Sequence, residues 1–528
     1  PFNISYPKQR ILEIKEKVEM FPWHEMPKEG GWSFGTNIDY MKHLADYWTK
    51  KYDWESHEFR LNQQPNYITK VEDIDIHFIF KKSSSPKAIP LILIHGWPGS
   101  IVEFLDIIEP LCEPEKYGNK DEICFDIIAP SIPGFAFSGK PANPMGPRKI
   151  AEIFNKLMTE NLGYERYVAQ GGDWGSAIST WLGFDHSKNC KGIHINMLPA
   201  RHIDGPKTEE EKSWDRQFSK DYVSQSGYFA IQSTKPQTLS YAMMDSPVGV
   251  AAWIIEKFYH WSDLEDRSLE LTYQKDDLLT NIMIYILTKS FNTSSWIYYG
   301  RAKEGGRILS QDGRRVEVPT GCAVYPKEFL TWPPKSYVER LFNIVHWTEM
   351  NRGGHFAALE QPSSLIGVDF SKEAVSLCND WYNQKNLDFI VGNAQDLPFD
   401  DDSFDIVYNV ESSHCYGSFS GFLKEVSRVL RPGGRFLFCD FRPSEEIKPL
   451  LSEFDSVGFI KENYKDITPN VVSALKRLSK YRKNEIHNKL PKFLHNILEA
   501  FAGVEGSSVF ISFQNKTLTY ISASFRKE

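Results

Sequence analysis

The stretch RYVAQGGDWGSAISTWLGF, residues 166–184, decides the fold. An apolar run that reads as a strand leads into Gly171 and Gly172, and a helical pattern follows Gly175 directly. A strand that turns this sharply into a helix needs small residues, and the side chain at the tip of the turn stands clear of the backbone. Asp173 occupies that tip. The alternative interpretation, an aspartate that only caps the next helix, stays open at this point.

Apolar runs of the same kind recur on both sides of this turn. Such runs are typical of strands covered on both faces, and the helical pattern at residues 148–163 gives the strand–helix–strand order of a parallel sheet. Residues 199–317 lose the strand pattern and become helical and charged, which predicts a helical lid inserted into the sheet protein. The runs that read as strands are 90–96, 124–134, 191–198, 317–326 and 342–350.

A second α/β series starts at about Pro362. Because no internal repeat joins it to the first series, the sequence predicts two α/β units. The apolar sequence of residues 507–525 predicts a closing hairpin. The strand-like runs of the second series are 364–369, 387–393, 404–410 and 435–441.

The composition is that of a globular protein, with 41% hydrophobic and 25% charged residues in 528. A net charge of −8 argues against a nucleic-acid partner. The seven cysteines are odd in number and form no CxxC pair, so neither a disulfide framework nor a metal site is predicted. No apolar run approaches the ~20 residues of a membrane helix. The chain starts at Pro1 rather than Met, so we expect that an N-terminal segment, and any anchor with it, has been removed.

The carboxylate of Asp173 predicts a particular chemistry. A carboxyl group with a reference pKa of about 3.9 is ionised at neutral pH and needs no base to activate it. It attacks a strained ring or displaces a halide and forms an ester with the enzyme, but it is a poor nucleophile for amides.

A second motif, HGWPG at residues 95–99, directly follows an apolar strand. In a fold with this kind of turn, the loop after that strand supplies one backbone N–H of an oxyanion hole. We therefore predict that the N–H groups of Trp97 and Trp174 hold the negative oxygen that forms when water attacks the ester. A plain Gly-Pro turn is the alternative for this motif alone.

A third motif, RGGHF at residues 352–356, follows the last strand of the first series. A loop histidine at that position is suited to be the general base, and His355 is predicted in this role. Glu328 lies just after the preceding strand, where the acid that orients the base is expected, and Glu349 is the alternative acid. The chain order of nucleophile, acid and histidine is that of the α/β-hydrolases.

With these motifs in place, the first ~360 residues resemble a microsomal-type epoxide hydrolase. The resemblance implies an α/β-hydrolase fold with an N-terminal helical meander at 1–65, a core at 66–198 and 318–362, and a helical lid at 199–317. The motifs that carry the resemblance are PFNISYP, HGWPGS, PSIPGFAFS, QGGDWGS, YFAIQSTKP, DSPVG, DDLLTN, PTG and RGGHFAALEQP.

The same resemblance implies that two lid tyrosines donate hydrogen bonds to the epoxide oxygen. Tyr228 matches the first, and Tyr299 matches the second, with Tyr298 as the alternative one residue away. It also implies that Asp173 forms the ester and that water activated by His355 releases a vicinal diol, without a metal or an organic cofactor. The aromatic lid predicts a small apolar epoxide as the substrate. The membrane anchor and the last hydrolase helix that the family leads us to expect are absent from the sequence.

Residues 363–528 resemble a truncated class I methyltransferase that depends on S-adenosylmethionine, so a partial Rossmann-like unit is expected. The resemblance implies that Asp369 binds the ribose of that cofactor and that Asn393 lies near its adenine. The first strand and its glycine-rich loop are missing; the lost strand would lie between the strands at 364–369 and 404–410. Independent methyl transfer is therefore not favoured, and a truncated passenger is the main alternative. The helical pattern at 371–385 is a further hypothesis, as a replacement for the missing hydrolase helix.

Three other functions stay open. One is methyl transfer to a lipid-like acceptor with S-adenosylmethionine as cofactor, another is haloalkane dehalogenation, which also uses an aspartate, and the third is non-catalytic transport of apolar ligands. The resemblance implies a location at the endoplasmic reticulum membrane, reached through a segment absent from this chain; without it, the protein is expected in the cytoplasm.

Overall fold

The computed structural model describes residues 1–117, 123–264, 268–360, 365–381, 387–489 and 491–528. They form two units, Pro1–Ser363 and Ser364–Glu528. The predicted junction between residues 362 and 363 lies outside the described residues, as does the position just after Pro362 where the resemblance leads us to expect a hydrolase helix.

An eight-stranded sheet forms the centre of the first unit. Its strands are β1 (Asn66–Val71), β2 (Ile74–Lys81), β3 (Ile89–Ile94), β4 (Phe125–Pro130), β5 (Tyr167–Gly171), β6 (Cys190–Ile195), β7 (Val316–Val324) and β8 (Phe342–Glu349). The order is β1-β2-β4-β3-β5-β6-β7-β8, with β1 and β2 antiparallel to their neighbours and all later pairs parallel. This topology is that of an α/β-hydrolase and confirms the predicted fold class.

Fifteen helices belong to the described part of the first unit. They are α1 (Lys8–Glu19), α2 (Ile38–Lys50), α3 (Trp54–Asn62), α4 (Ile108–Cys112), α5 (Pro147–Lys156), α6 (Trp174–Asp185), α7 (Glu209–Gln225), α8 (Gly227–Thr234), α9 (Pro236–Asp245), α10 (Pro247–Trp261), α11 (Leu269–Thr272), α12 (Lys275–Leu287), α13 (Phe291–Lys303), α14 (Lys335–Glu339) and α15 (Ala357–Glu360). Helix α6 packs on β3, β5, β6 and β7. Helices α7 to α13 stand between β6 and β7 in the chain and are called the lid below.

The N-terminal helices hold one lid helix, α12, by polar contacts. The Tyr47 hydroxyl donates to Asp276 over 2.9 Å, and the Arg60 guanidinium pairs with Asp277 at 2.7 Å. Asp277 is 6% exposed, so the carboxylate of this ion pair is shielded from solvent. Because buried polar groups need partners, these contacts fix α12 against the N-terminal helices.

The second unit contains two pieces of sheet. Its strands are β9 (Leu365–Asp369), β10 (Leu387–Val391), β11 (Phe404–Val410), β12 (Leu430–Pro443), β13 (Phe459–Asp466) and β14 (Leu518–Lys527). β9 pairs only with β10, in parallel, and the other piece has the order β11-β12-β14-β13. The two pieces therefore separate at β9 and β11, the strands between which the missing first strand was predicted to lie. β9, β10, β11 and β12 confirm strands at all four of the predicted positions, 364–369, 387–393, 404–410 and 435–441.

The helices of the second unit correct one prediction. They are α16 (Lys372–Trp381), α17 (Phe419–Val429), α18 (Ile447–Ser456), α19 (Thr468–Lys489), α20 (His495–Phe501) and α21 (Ser508–Gln514). The predicted hairpin at 507–525 is wrong in its first half, because α21 replaces the first strand. The Ser507 hydroxyl oxygen accepts the N–H of Phe510, and the buried Phe510 and Phe513 lie three residues apart on one helix face. Helix α16 packs on β9 and β10, and residues 382–385 of the predicted helix lie outside the described residues.

The turn between β5 and α6 allows no additional atoms at its glycines. A Cβ at Gly175 would overlap the carbonyl oxygen of Ile94, and one at Gly171 would overlap the backbone of Gly175. Replacement of Gly175 by alanine is expected to destabilise the fold by roughly 1–3 kcal/mol or more, because β3 must move to make room. Thermal unfolding and soluble yield of Gly175→Ala measure this effect.

The control is Gly227→Ala at the start of α8, where a Cβ would meet nothing within 4 Å. This variant should unfold at the wild-type temperature. Equal unfolding temperatures for the two variants would show that the turn tolerates a side chain and would contradict the prediction.

Candidate active site

Asp173 stands at the tip of the turn from β5 into α6 with a backbone φ of 47° and ψ of −121°. A positive φ is rare for a residue with a side chain and is held only where the surrounding structure requires it. The Asp173 side chain is 15% exposed and makes no capping hydrogen bond to α6. The turn thus presents the carboxylate instead of using it as a helix cap.

The HGWPG loop after β3 holds one oxygen of this carboxylate. The Trp97 N–H donates to Asp173 Oδ1 over 2.7 Å. A Cβ at Gly96 would overlap the Asp173 side chain, so glycine is required there. Helix α12 fixes the loop from the other side, because Asn281 donates to the Pro98 carbonyl over 2.7 Å and the Tyr285 hydroxyl donates to the Gly99 carbonyl over 2.8 Å.

The predicted second donor of the oxyanion hole, the Trp174 N–H, belongs to the first residue of α6. The N–H groups of a first helical turn have no partner within the helix and are available to an anion. Its role in an oxyanion hole stays a prediction.

His355 lies between two carboxylates. Its Nδ1 is 2.9 Å from Glu328 Oε2, and its Nε2 is 3.5 Å from Asp173 Oδ2. Burial lowers the pKa of the His355 imidazole, but the charges of Glu328 and Asp173 outweigh this effect and raise the pKa to about 10. The alternative acid, Glu349, is exposed at the end of β8. The structure therefore brings Glu328, and not Glu349, to the histidine.

The loop that carries His355 is tied to the end of lid helix α10. The His355 N–H donates to the Trp261 carbonyl over 2.8 Å. Glu360 accepts the N–H groups of Gly354, Phe356 and Asp263 at 2.7–2.8 Å. This buried carboxylate thus joins the histidine loop to the residues that follow α10.

Two lid tyrosines face Asp173, and one of them differs from the sequence prediction. Tyr228 of α8 stacks on Trp97, with ring centroids 5.2 Å apart. Tyr298 of α13 packs edge-on against Trp174 at 4.6 Å and is 1% exposed. Tyr299, the predicted second tyrosine, lies half-buried beside Lys303, because one residue along a helix turns the side chain by about 100°. The structure therefore brings the alternative, Tyr298, and not Tyr299, into the cavity with Asp173, and its role as the second donor stays a prediction.

Asp173, Tyr228 and Tyr298 line one cavity. The Tyr298 hydroxyl is buried without a hydrogen-bond partner. Burial raises the pKa of both phenols well above the usual value, and the charge of Asp173 adds to this effect. Both phenols therefore stay protonated at neutral pH and are available as donors. The remaining lining is largely aromatic and apolar, with Trp174, Met197, Phe229, Phe329 and Leu330, together with Tyr222, Arg301 and Arg307.

One acidic residue beside the site was not predicted from the sequence. Glu103 reaches under the HGWPG loop, where a Cβ at Gly99 would overlap its carboxyl group. Burial raises the pKa of Glu103 to about 8, with the charge of Asp173 adding to this effect. With His355, it lines a second cavity behind Asp173. Glu103 could have been predicted from the sequence, because it is the one acidic residue in the otherwise apolar stretch IVEFL.

The predicted cofactor residues of the second unit are used in local turns. Asp369 accepts the N–H of Ser371 over 2.8 Å, and Asn393 accepts the N–H of Gln395 over 3.0 Å. Both residues are exposed. Such turns are the ordinary use of these side chains after a strand, so a role in binding S-adenosylmethionine stays a prediction.

Three family models match the chain. Residues 1–104 match the epoxide hydrolase N terminus, residues 89–244 match the α/β hydrolase fold, and residues 351–438 match a methyltransferase domain. The last match confirms the methyltransferase-like character predicted for the C-terminal part.

Relatives with similar sequences and structures carry epoxide hydrolase names. A putative epoxide hydrolase of Stigmatella aurantiaca is 38% identical, over 69% of this chain and 82% of that protein. Epoxide hydrolase 1 of Sus scrofa is 36% identical, over 70% of this chain and 87% of that protein. The crystal structure of juvenile hormone epoxide hydrolase from Bombyx mori superposes with a TM-score of 0.62 at 31% identity, over 68% of this chain and 90% of that one. The chain therefore belongs to the epoxide hydrolase family of the α/β-hydrolase superfamily.

Proposed function

We propose that this epoxide hydrolase converts apolar epoxides into vicinal diols through an ester on Asp173. One observation carries the proposal: Asp173 Oδ1 is held by the Trp97 N–H, while Oδ2 faces His355 beside a cavity lined by two protonated tyrosines. The held oxygen corresponds to the carbonyl of an ester, and the other oxygen is left to attack.

In the first step, Asp173 Oδ2 attacks one carbon of the epoxide. A new C–O bond forms, the ring C–O bond breaks, and its electron pair goes to the former ring oxygen. Tyr228 and Tyr298 donate hydrogen bonds to that oxygen, which becomes a hydroxyl by taking a phenolic proton. The product is a hydroxy ester of Asp173.

In the second step, His355 Nε2 takes a proton from water, and the water oxygen attacks Cγ of Asp173. The negative charge develops on Oδ1, which keeps the Trp97 N–H as its donor. Collapse of this intermediate breaks the ester C–O bond, and the departing alkoxide takes the proton of the new hydroxyl on Cγ and leaves as the diol. The proton that His355 loses after the ester forms passes through solvent to the phenolate of the first step, so the two steps balance without a metal or an organic cofactor.

Ester formation also changes His355. The free enzyme has two carboxylates that raise the pKa of His355, and the ester removes the charge of Asp173. The pKa of His355 therefore falls in the ester, and the imidazole becomes available as a base when water must be activated.

The cavity behind Asp173 supports the water step. Gln170 Oε1, Asn196 Oδ1 and His355 Nε2 are buried without hydrogen-bond partners and line or adjoin this cavity with Glu103. Polar atoms without partners in a space of this kind are suited to hold water. A water bound there lies beside the base, on the side of Asp173 away from the tyrosines.

The alternative functions have less support. A dehalogenase needs no proton donor for its halide, whereas two protonated tyrosines suit an epoxide oxygen. A carrier of apolar ligands needs neither His355 nor Glu328. For methyl transfer, the sequence lacks the first strand and glycine-rich loop, and calorimetric titration with S-adenosylmethionine is expected to show no binding.

The membrane location rests on the resemblance to microsomal-type enzymes. None of the helices in the described ranges combines the length and the apolar composition that crossing a bilayer requires. Association with the endoplasmic reticulum membrane stays a prediction, and fractionation of cells that express the natural full-length protein checks it.

Replacement of Asp173 by alanine should lower turnover of an aryl epoxide by roughly 10³-fold or more, because the covalent route is lost. In a single turnover of wild type in heavy-oxygen water, the label should enter the Asp173 carboxyl group and not the first diol. Mass spectrometry of peptides and product measures both. Asp185→Ala, at the end of α6 outside the cavity, is the control. Label in the first diol alone would mean direct attack by water and would overturn the ester route.

Replacement of Tyr298 by phenylalanine should slow ester formation by at least about tenfold, because one of two donors to the leaving oxygen is removed. Tyr299→Phe is the matched control and should act like wild type. Rapid-mixing tryptophan fluorescence follows ester formation, since Trp97 and Trp174 flank Asp173. A larger loss in Tyr299→Phe would restore the sequence-based assignment.

Hydrolysis of the ester should slow as the pH falls, because protonated His355 cannot accept a proton from water. Ester formation should depend less on pH over the same range. Glu328→Gln removes the largest charge that raises the pKa of His355, so the acid limb of hydrolysis should move to lower pH. Rapid mixing over a pH series measures both rates, with Glu349→Gln as the control. An acid limb that does not move in Glu328→Gln would exclude His355 as the titrating base.

A further inference from the structure

Two guanidinium groups line the cavity that holds Asp173 and the tyrosines. Arg301 lies on α13 three residues after Tyr298, so both side chains lie on one face of the helix. Arg307 follows the helix and lines the same cavity. An apolar epoxide has no group that needs either cation.

Among the residues that the structure describes, neither guanidinium has an anionic partner. Arg301 donates to the carbonyls of Pro199 and Gly306, and Arg307 donates to the carbonyl of Leu198 over 3.2 Å. Over the described ranges, no carboxylate lies within ion-pair distance of either residue. The neighbouring Arg201 differs, because it pairs with Asp215 at 3.0 Å.

The cavity disfavours these charges while it is empty. Arg307 Nε is buried with no hydrogen-bond partner. Burial lowers the pKa of Arg301, and burial with the charges of Arg301 and Arg201 lowers the pKa of Arg307 to about 9. Burying a charge is unfavourable unless an opposite charge accompanies it. An anion bound between these groups would remove that penalty.

A purely structural role accounts for only part of this arrangement. Backbone carbonyls accept one or two N–H groups of each arginine, but a guanidinium has five. Asp173 is the one acid that lines the cavity within the described ranges, and its charge disappears when the ester forms. The two guanidinium groups therefore need an anion that stays in the cavity throughout the reaction, and a charged group of the substrate would supply it.

We infer that the preferred substrates are epoxides that carry a carboxylate at the end remote from the ring, and that Arg301 and Arg307 bind this carboxylate. This inference rests on the proposed function, because it places the epoxide itself between Asp173 and the tyrosines. The planar fork of a guanidinium matches the two oxygens of a carboxylate. The aromatic and apolar residues that line the same cavity suit a hydrocarbon chain.

The test compares terminal epoxides of straight-chain carboxylic acids of graded length with the methyl ester of each. In wild type, kcat/KM for the acid should exceed that for its methyl ester by roughly tenfold or more at the best chain length, as expected for hydrogen bonds to charged groups. In Arg301→Met and in Arg307→Met, the ratio of kcat/KM for the acid to that for its methyl ester should fall towards one. The main cause should be an increase in KM for the acid. Arg301→Lys and Arg307→Lys should keep part of the preference for the acid.

Lys303→Met is the matched control, because it removes an exposed cation from the same helix. It should leave the ratio of acid to ester unchanged. A wild-type ratio of one or less at every chain length would overturn the inference, and this comparison needs no variant to fold. Turnover of the methyl esters would then still support the proposed function, whereas absence of turnover for every epoxide would refute that function itself.

Discussion

The close packing of backbone around Asp173 is the constraint on which the rest of the site depends. The positive φ of Asp173 requires a sharp turn, and the turn exists only because Gly96, Gly171 and Gly175 carry no side chain. This packing brings the Trp97 N–H within 2.7 Å of the carboxylate. A single steric condition therefore fixes the position of both the proposed nucleophile and the N–H group proposed to stabilise its ester.

The turn fixes the position of Asp173, and the charges of Asp173 and Glu328 set the protonation of His355. Two carboxylates hold the imidazole protonated in the resting site, and burial of His355 and Glu328 strengthens their coupling. In the proposed mechanism, ester formation changes this balance, since it removes one of the two negative charges. The protonation of His355 would then depend on the stage of the reaction, although no residue needs to move.

The sequence identified candidate site residues where the residue type suits the proposed chemistry and the residues follow one another in the expected chain order. Asp173, Glu328 and His355 follow one another after strands that read as continuous apolar runs, and such runs have few alternative interpretations. The second lid tyrosine could not be fixed, because Tyr298 and Tyr299 are identical side chains and only the helix phase separates them. Glu103 was not predicted as a site residue because it is a single charged residue in an apolar segment. It belongs to no repeating pattern of charge that would indicate a site. The first half of 507–525 was misread as a strand, since aromatic and β-branched residues fit a strand and a buried helix face equally well.

The hydrogen bonds between the lid and the catalytic loops have a consequence for how ligands enter and leave. Helix α12 holds the carbonyls of Pro98 and Gly99, and the end of α10 holds the loop of His355. If all the lid helices moved away from the sheet together, these bonds would break. The Trp97 N–H and His355 would then be displaced at the same time. An opening motion that keeps these bonds leaves α10 and α12 in place and involves other lid helices, such as α8 with Tyr228. In the proposed mechanism, such a motion would couple release of the diol to the residue that donates to the leaving oxygen.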